Sequence, residues 1–205
     1  MDLKKFIEVK YYIRLTFLYV LHKHRYRKYC FTSQVIKPLR VTPQYIQLEE
    51  EVCVLNNARI EGVAKYNDKK YNPNIHLHKG VRIQQNLHLT CANSVIIGEN
   101  TAIAANVTIT DIHHPYEDIN TPIEAQDIEV QFVEIGSDCK IYNNCVILPG
   151  VKIGKHVTIG ANSVVNRDIP DYCVAVGSPA YIIKRYNFES QKWEKTDKEG
   201  NFLIR

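Results

Sequence analysis

The sequence predicts an all-β repeat, a parallel β-helix of about four regular coils with an N-terminal helical arm and a short C-terminal helix. Three observations predict it. Between residues 133 and 170 an aliphatic residue returns every six positions, at Ile135, Ile141, Ile147, Ile153, Ile159 and Val165. A period of six is neither the 3.6 of a helix nor the alternation of a strand. Three positions after each lead stand Asp138, Asn144, Gly150, His156, Asn162 and Asp168, types that tolerate a left-handed backbone better than most. One position further on stand Cys139, Cys145, Val151, Val157, Ser163 and Ile169, all small or apolar. Each hexad thus reads as a short strand, a corner and a second inward residue. Three hexads make one triangular coil, so Ile135 should stack on Ile153, Ile141 on Ile159 and Ile147 on Val165. One coil cannot offset its ordering entropy, but several in series can.

In chain order, residues 1–40 come first, with ten Lys or Arg against two acidic residues. That gives +8 in a chain of net charge +4 and leaves −4 for the rest. Residues 3–29 read as a basic amphipathic helix whose apolar stripe is Phe6, Tyr12, Ile13, Phe17, Val20 and Leu21. Two uses are open for it: a docking arm on the β-helix or a neighbouring subunit, or peripheral contact with an anionic membrane surface. Residues 41–74 read as an irregular lead-in, with 66–74 a polar surface connection. Residues 75–186 are the β-helix proper. Its earlier leads are Leu77, Ile83, Leu89, Ile97, Ile103 and Ile109, with Gly80, Asn86, Asn100 and Asn106 at corners and an enlarged corner after Leu89. Residues 187–205 are expected to be the short terminal helix and a tail.

Six cysteines without a CxxC pair, two of them at inward positions, predict buried reduced thiols. No stretch approaches the ~20 apolar residues of a membrane span. The run Phe17–Leu21 is too short for a signal-peptide core. A cytoplasmic location is expected, at the inner face of the cell membrane if the arm meets lipid. The basic residues form no recognisable nucleic-acid motif, and no nucleic-acid partner is expected.

The largest break in the repeat is residues 111–132, which leave the coil as a loop. Long excursions from a rigid scaffold tend to carry function. This one opens on His113 and His114, and an imidazole is the natural general base near neutral pH. Two surface histidines without a role are the plain alternative. Asp111 could orient the imidazole, or be only a polar corner.

The leads followed by Gly in IGEN, IGSD, IGKH and IGAN resemble the hexapeptide-repeat acyltransferases. The stretch GANSVVNRDIPDYCVAVGSPAYIIKRYN is similar to the end of the galactoside and maltose acetyltransferase group. The segments YNFESQKWEK and VIIGENTAIAANVTITDIHH look like bacterial O-antigen and capsule sugar O-acetyltransferases. The resemblance implies a left-handed β-helix, against the usual crossover hand, and a homotrimer with its site between two subunits. It implies transfer of an acetyl group from acetyl-CoA to a sugar hydroxyl, on a free or lipid-linked saccharide, in surface polysaccharide biosynthesis. Antibiotic or serine O-acetylation, or a non-catalytic scaffold, are the alternatives. By resemblance His114 is the general base and His113 its substitute. Backbone amides near Asn143 and Ala161 would hold the oxyanion and pantetheine. Arg167, Lys184 and Arg185 would meet the CoA phosphates, and Gly177, Ser178 and Pro179 the adenine end. Gln84 and Tyr116 are candidates for touching the acceptor. Lys140 stands where many members carry Trp. Zinc held by three histidines occurs in the γ-type carbonic anhydrases of similar fold, which makes His76, His78 and His88 the metal candidates. Ile119 stands where a third ligand would be needed, and no metal is expected.

Overall fold

The computed structural model describes residues 3–203. Residues 1–2 and 204–205 of the arm and tail lie outside the described residues, as does the side chain of Phe6. The chain winds into a triangular prism whose three faces are sheets of six, nine and six strands, parallel except for the antiparallel C-terminal strands of the second. The stacking read from the six-residue rhythm is present: Ile135 pairs with Ile153, Ile141 with Ile159 and Ile147 with Val165. These side chains are buried and form one continuous axial core with their counterparts in the other coils. Each fully buried aliphatic contributes about 1.5–3 kcal/mol.

The prism is longer than the sequence suggests. Leu48, Val54 and Ile60 pair with Leu77, Ile83 and Leu89, and below them lie Tyr29, Val35 and Val41. There are six coils rather than four, and residues 28–62 are two of them. The expected arm therefore ends early, at the helix α1 (Leu3–His22), and the expected lead-in is regular structure.

Corners follow the predicted chemistry. Asn86, Asn100, Asn106, Asp138, Asn144, His156 and Asn162 have positive φ, as do Gly80 and Gly150. Asp168 does not; its Oδ1 accepts from the Lys152 amide at 2.8 Å. Along one edge the asparagines form a ladder. Nδ2 of Asn86, Asn106 and Asn144 donates to Oδ1 of Asn106, Asn144 and Asn162, at 2.9, 3.0 and 2.9 Å. A second edge is close-packed glycine. A Cβ on Gly136 would stand 2.6 Å from the Gly154 carbonyl oxygen, and one on Gly98 2.6 Å from Gly136. Backbone on both sides cannot swing away. Gly136→Ala should cost about 1–3 kcal/mol, read as a fall of several degrees in Tm by calorimetry.

The C-terminal helix is not there. Tyr181–Asn187 and Lys192–Lys195 are antiparallel strands, the first paired to Cys173–Val176. Asn187 Oδ1 accepts from the amides of Glu189 and Ser190, so the intervening residues turn instead of winding. Tyr186 packs edge-on against Trp193 across the pair.

Helix α1 docks on the first coils, but not through the predicted stripe. Leu15 is buried, Tyr19 packs on Tyr29 and Phe31, and His22 on Tyr26 and Tyr29. Tyr12, Ile13, Phe17, Val20 and Leu21 are exposed. The helix has two apolar sides, and the one that carries Leu15, Tyr19 and His22 faces the coils. Partial burial, and then Arg25, lower the pKa of His22 below 6.5. As pH falls below 6.5 the undocked chain therefore binds the proton more readily than the docked one, and docking stability is lost. Limited proteolysis at residues 23–27 should accelerate between pH 7 and 5.

All six cysteines are free, and Cys91, Cys139, Cys145 and Cys173 are buried. Burial pushes their thiols up. No helix among the described residues is long and apolar enough to cross a membrane.

Candidate active site

Two excursions leave the prism on one side and meet. The shorter follows Gly62 and is a hairpin of Lys65–Tyr66 and Lys69–Lys70, not a loose connection. The longer leaves at Asp111 and returns at Gln131, its base a ribbon of Ile112–His113 against Glu129–Val130. Tyr66 Oη donates to Glu124 Oε2 at 2.8 Å, Asn67 Nδ2 reaches the Ala125 carbonyl at 3.2 Å, and Tyr71 Oη the Ile128 carbonyl at 3.1 Å. The hairpin thus clasps the loop. Removing the Tyr66 hydroxyl should loosen that grip; Tyr66→Phe should raise hydrogen exchange of residues 117–128 without lowering Tm.

Between the excursions and the third face lies a cleft of about 500 Å³. Its floor is Arg59, His88, Thr90, Thr108 and Thr110, its walls Tyr66, Glu124 and Ile128, and His114 opens into it. Thr90 and Thr110 are hydrogen-bonded through their hydroxyls at 2.9 Å. Arg59 is held by Glu61, which also binds Arg40. Burial against the wall and the Arg59 charge lower the pKa of His88, which favours a neutral ring.

Ile112 and His114 line the cleft and His113 does not, as alternation along the ribbon requires. His114 packs edge-to-face with Tyr66 at 5.3 Å. Its Nδ1 is buried with no hydrogen-bond partner, an exception that needs a reason in a folded protein. That leaves Nε2 for a ligand in the cleft.

Asp111 is not the orienting carboxylate. It is fully buried, and its two oxygens accept from the amides of Ala92, Asn93 and Ser94, each at 2.8 Å. Those residues are the enlarged corner after Leu89, so that corner exists to grip the aspartate. Asn93 Nδ2 and the Gln131 amide, which donate to the Gln131 and Asp111 carbonyls, close the loop's mouth.

The remaining candidates are dispersed. Tyr116 is exposed beside His113, 6.0 Å between rings, and Gln84 is exposed on the second face; neither lines the cleft. Asn143 and Ala161 lie on the asparagine-ladder edge, away from the excursions. Arg167 lines a separate cleft of about 430 Å³ with Ser178, Pro179 and Lys198, and its Nη2 donates to the Lys198 carbonyl at 3.2 Å. Adjacent strand residues face opposite ways, so Lys184 and Arg185 are not one cationic pair; Arg185 faces a third cleft with Asp171 and Tyr172. Lys140 lies over the Tyr142 ring at 5.4 Å. His76 and His78 stack on the first face, and Glu49 accepts from His76 at 2.9 Å. Of those three histidines only His88 shares the cleft with His114. Sequence reasoning missed Tyr66, Thr90, Thr110, Glu124 and Lys198, and considered His88 only as a metal ligand. The threonines at matching repeat positions were the one available signal.

Residues 132–167 match the family model of the bacterial transferase hexapeptide, six repeats. The chain is 40% identical over 122 residues to a putative lipopolysaccharide biosynthesis O-acetyl transferase, WbbJ, of Escherichia coli, covering 56% of this chain and 62% of that protein. It is 36% identical over 118 residues to the galactoside O-acetyltransferase of Escherichia coli, covering 57% of each. The chain therefore spans less than two thirds of the length of these relatives. In fold it is similar to a hexapeptide-repeat acetyltransferase of Vibrio cholerae determined with acetyl coenzyme A, with a TM-score of 0.54, 19% identity, and 87% and 84% of the two chains covered. Over residues 132–167 the chain carries the hexapeptide transferase repeat, over its matched part it is similar to O-acetyltransferases, and its fold is a left-handed parallel β-helix.

Proposed function

We propose that the protein is an acetyl-CoA-dependent O-acetyltransferase that acts on a sugar hydroxyl in surface polysaccharide assembly. The observation that carries it is His114, an imidazole with a buried unpartnered Nδ1 at the mouth of a hydroxyl-lined cleft on the excursion side of the prism. The relatives named as O-acetyltransferases of lipopolysaccharide and galactosides supply the acceptor class.

The chemistry follows from the residues. Nε2 of His114 takes the proton of the acceptor hydroxyl as its oxygen attacks the thioester carbonyl. The tetrahedral oxyanion is met by coil amides at the Asn143–Ala161 edge. Collapse expels the CoA thiolate, which takes the proton back from the imidazolium. Arg167 and Lys198 make the 430 Å³ cleft suited to a polyanionic CoA end. In one chain the base and the ladder edge lie on different edges of the prism, so the site is complete only where a second copy brings its ladder edge to His114. This supports a homotrimer with shared sites. A lipid-linked saccharide would be met at the inner face of a membrane.

Thiol release from acetyl-CoA, measured with a panel of sugars and lipid-linked saccharides, tests the reading. Release that depends on a sugar is the expected result. Release with serine or an aminoglycoside only, or with no acceptor of any class, would replace it with one of the other acyl transfers or with a scaffold.

A further inference from the structure

The second apolar side of α1 has no partner among the described residues. Val9, Ile13, Phe17 and Val20 recur at helical spacing and make one stripe, with Ile13, Phe17 and Val20 exposed by 64%, 67% and 60%. Val9, Ile13 and Phe17, with Tyr12, border a shallow apolar groove. The opposite side, Leu15, Tyr19 and His22, is spent on the coils, so rotation of the helix cannot hide the stripe.

What would cover it is written in the charge. Between Glu8 and Glu49 the sequence has no acidic residue, and in the helix and just after it stand the exposed cations Arg14, Lys23 and Arg25, with Lys23 Nζ over the Tyr19 ring at 5.6 Å. Lys28 and Arg40, further along, are already paired with Glu49 and Glu61. A symmetric contact between two copies of the helix would set cation against cation with nothing to neutralise them. A surface of phosphates satisfies both halves of the pattern at once: cations on the rim, apolar groups beneath.

We propose that α1 is an interfacial anchor that lies on an anionic lipid bilayer, with Ile13, Phe17 and Val20 entering the acyl boundary and Arg14, Lys23 and Arg25 meeting headgroup phosphates. The helix lies in the plane of the interface and does not cross it. This inference does not depend on the transferase reading, and its test uses no acceptor.

The test is flotation of the full chain with vesicles of phosphatidylcholine, with and without phosphatidylglycerol, at low and high salt. The chain should float with the anionic vesicles at low salt, and at least about tenfold less with neutral ones or in high salt. Ile13→Ser with Phe17→Ser should lower partitioning at least about tenfold. Both side chains are exposed, so far-UV circular dichroism and Tm should not move. Sedimentation velocity of the same variant should give the wild-type association state. Three results would overturn the proposal: no flotation of the wild type at low salt, flotation of the double variant equal to wild type, or dissociation of the variant into smaller species. The last would show that another copy covers the stripe.

Discussion

His114→Ala should lower kcat/KM for acetyl transfer by about 10²–10⁴-fold, the range general-base removal produces, with Tm unchanged. The ring contributes no hydrogen bond through Nδ1 and one edge contact to Tyr66, so its loss takes little from stability. His113→Ala should stay within a few-fold of wild type, because its side chain faces away from the cleft beside Tyr116. Thiol release at saturating donor, run on both variants beside calorimetry, separates the outcomes. Wild-type turnover in the His114 variant would remove the base from the scheme and with it the proposed mechanism.

Asp111→Ala should be the most destabilising single change in the chain. It strips a buried carboxylate from three amides at once, and each orphaned donor costs about 1–3 kcal/mol. The expected loss is roughly 3–6 kcal/mol, a fall in Tm of about 10 °C or more for a protein of this size. Activity should fall with it, since the same residue pins the start of the His114 ribbon. Where the alanine variant does not fold, Asp111→Asn retains one acceptor oxygen and should fall between it and wild type. A variant that keeps wild-type Tm but loses turnover would show that Asp111 acts on the chemistry and not on the corner.

The axis of the prism is legible in the sequence because its physics is local and periodic. Ile135 over Ile153 and the asparagines at positive φ need only a six-residue rhythm to be found. The two lower coils are not, because the hairpin after Gly62 shifts Leu48, Val54 and Ile60 out of register with Leu77, Ile83 and Leu89. The site is half legible. A histidine beside the largest break stands out, whereas its supports do not. Tyr66 and Glu124 meet across 58 residues, and two excursions from different coils leave no pattern that one strip of sequence can show. Asp111 was visible as a polar residue at the break, but what it binds is backbone, which carries no letter. The terminal hairpin was hidden by a run without alternation or repeat.

The loop's gateposts have an engineering meaning. The Gln131 amide and the Asp111 carbonyl are bonded to each other, so the excursion departs and returns through one point of the coil edge. The tip of the excursion, residues 115–123, lies beyond that point and short of the Tyr66–Glu124 clasp, and it can be exchanged without re-registering a coil or removing His114. In the proposed transferase, acceptor preference is then free to diverge while the girder stays constant, and a graft of residues 115–123 is the natural unit for swapping it.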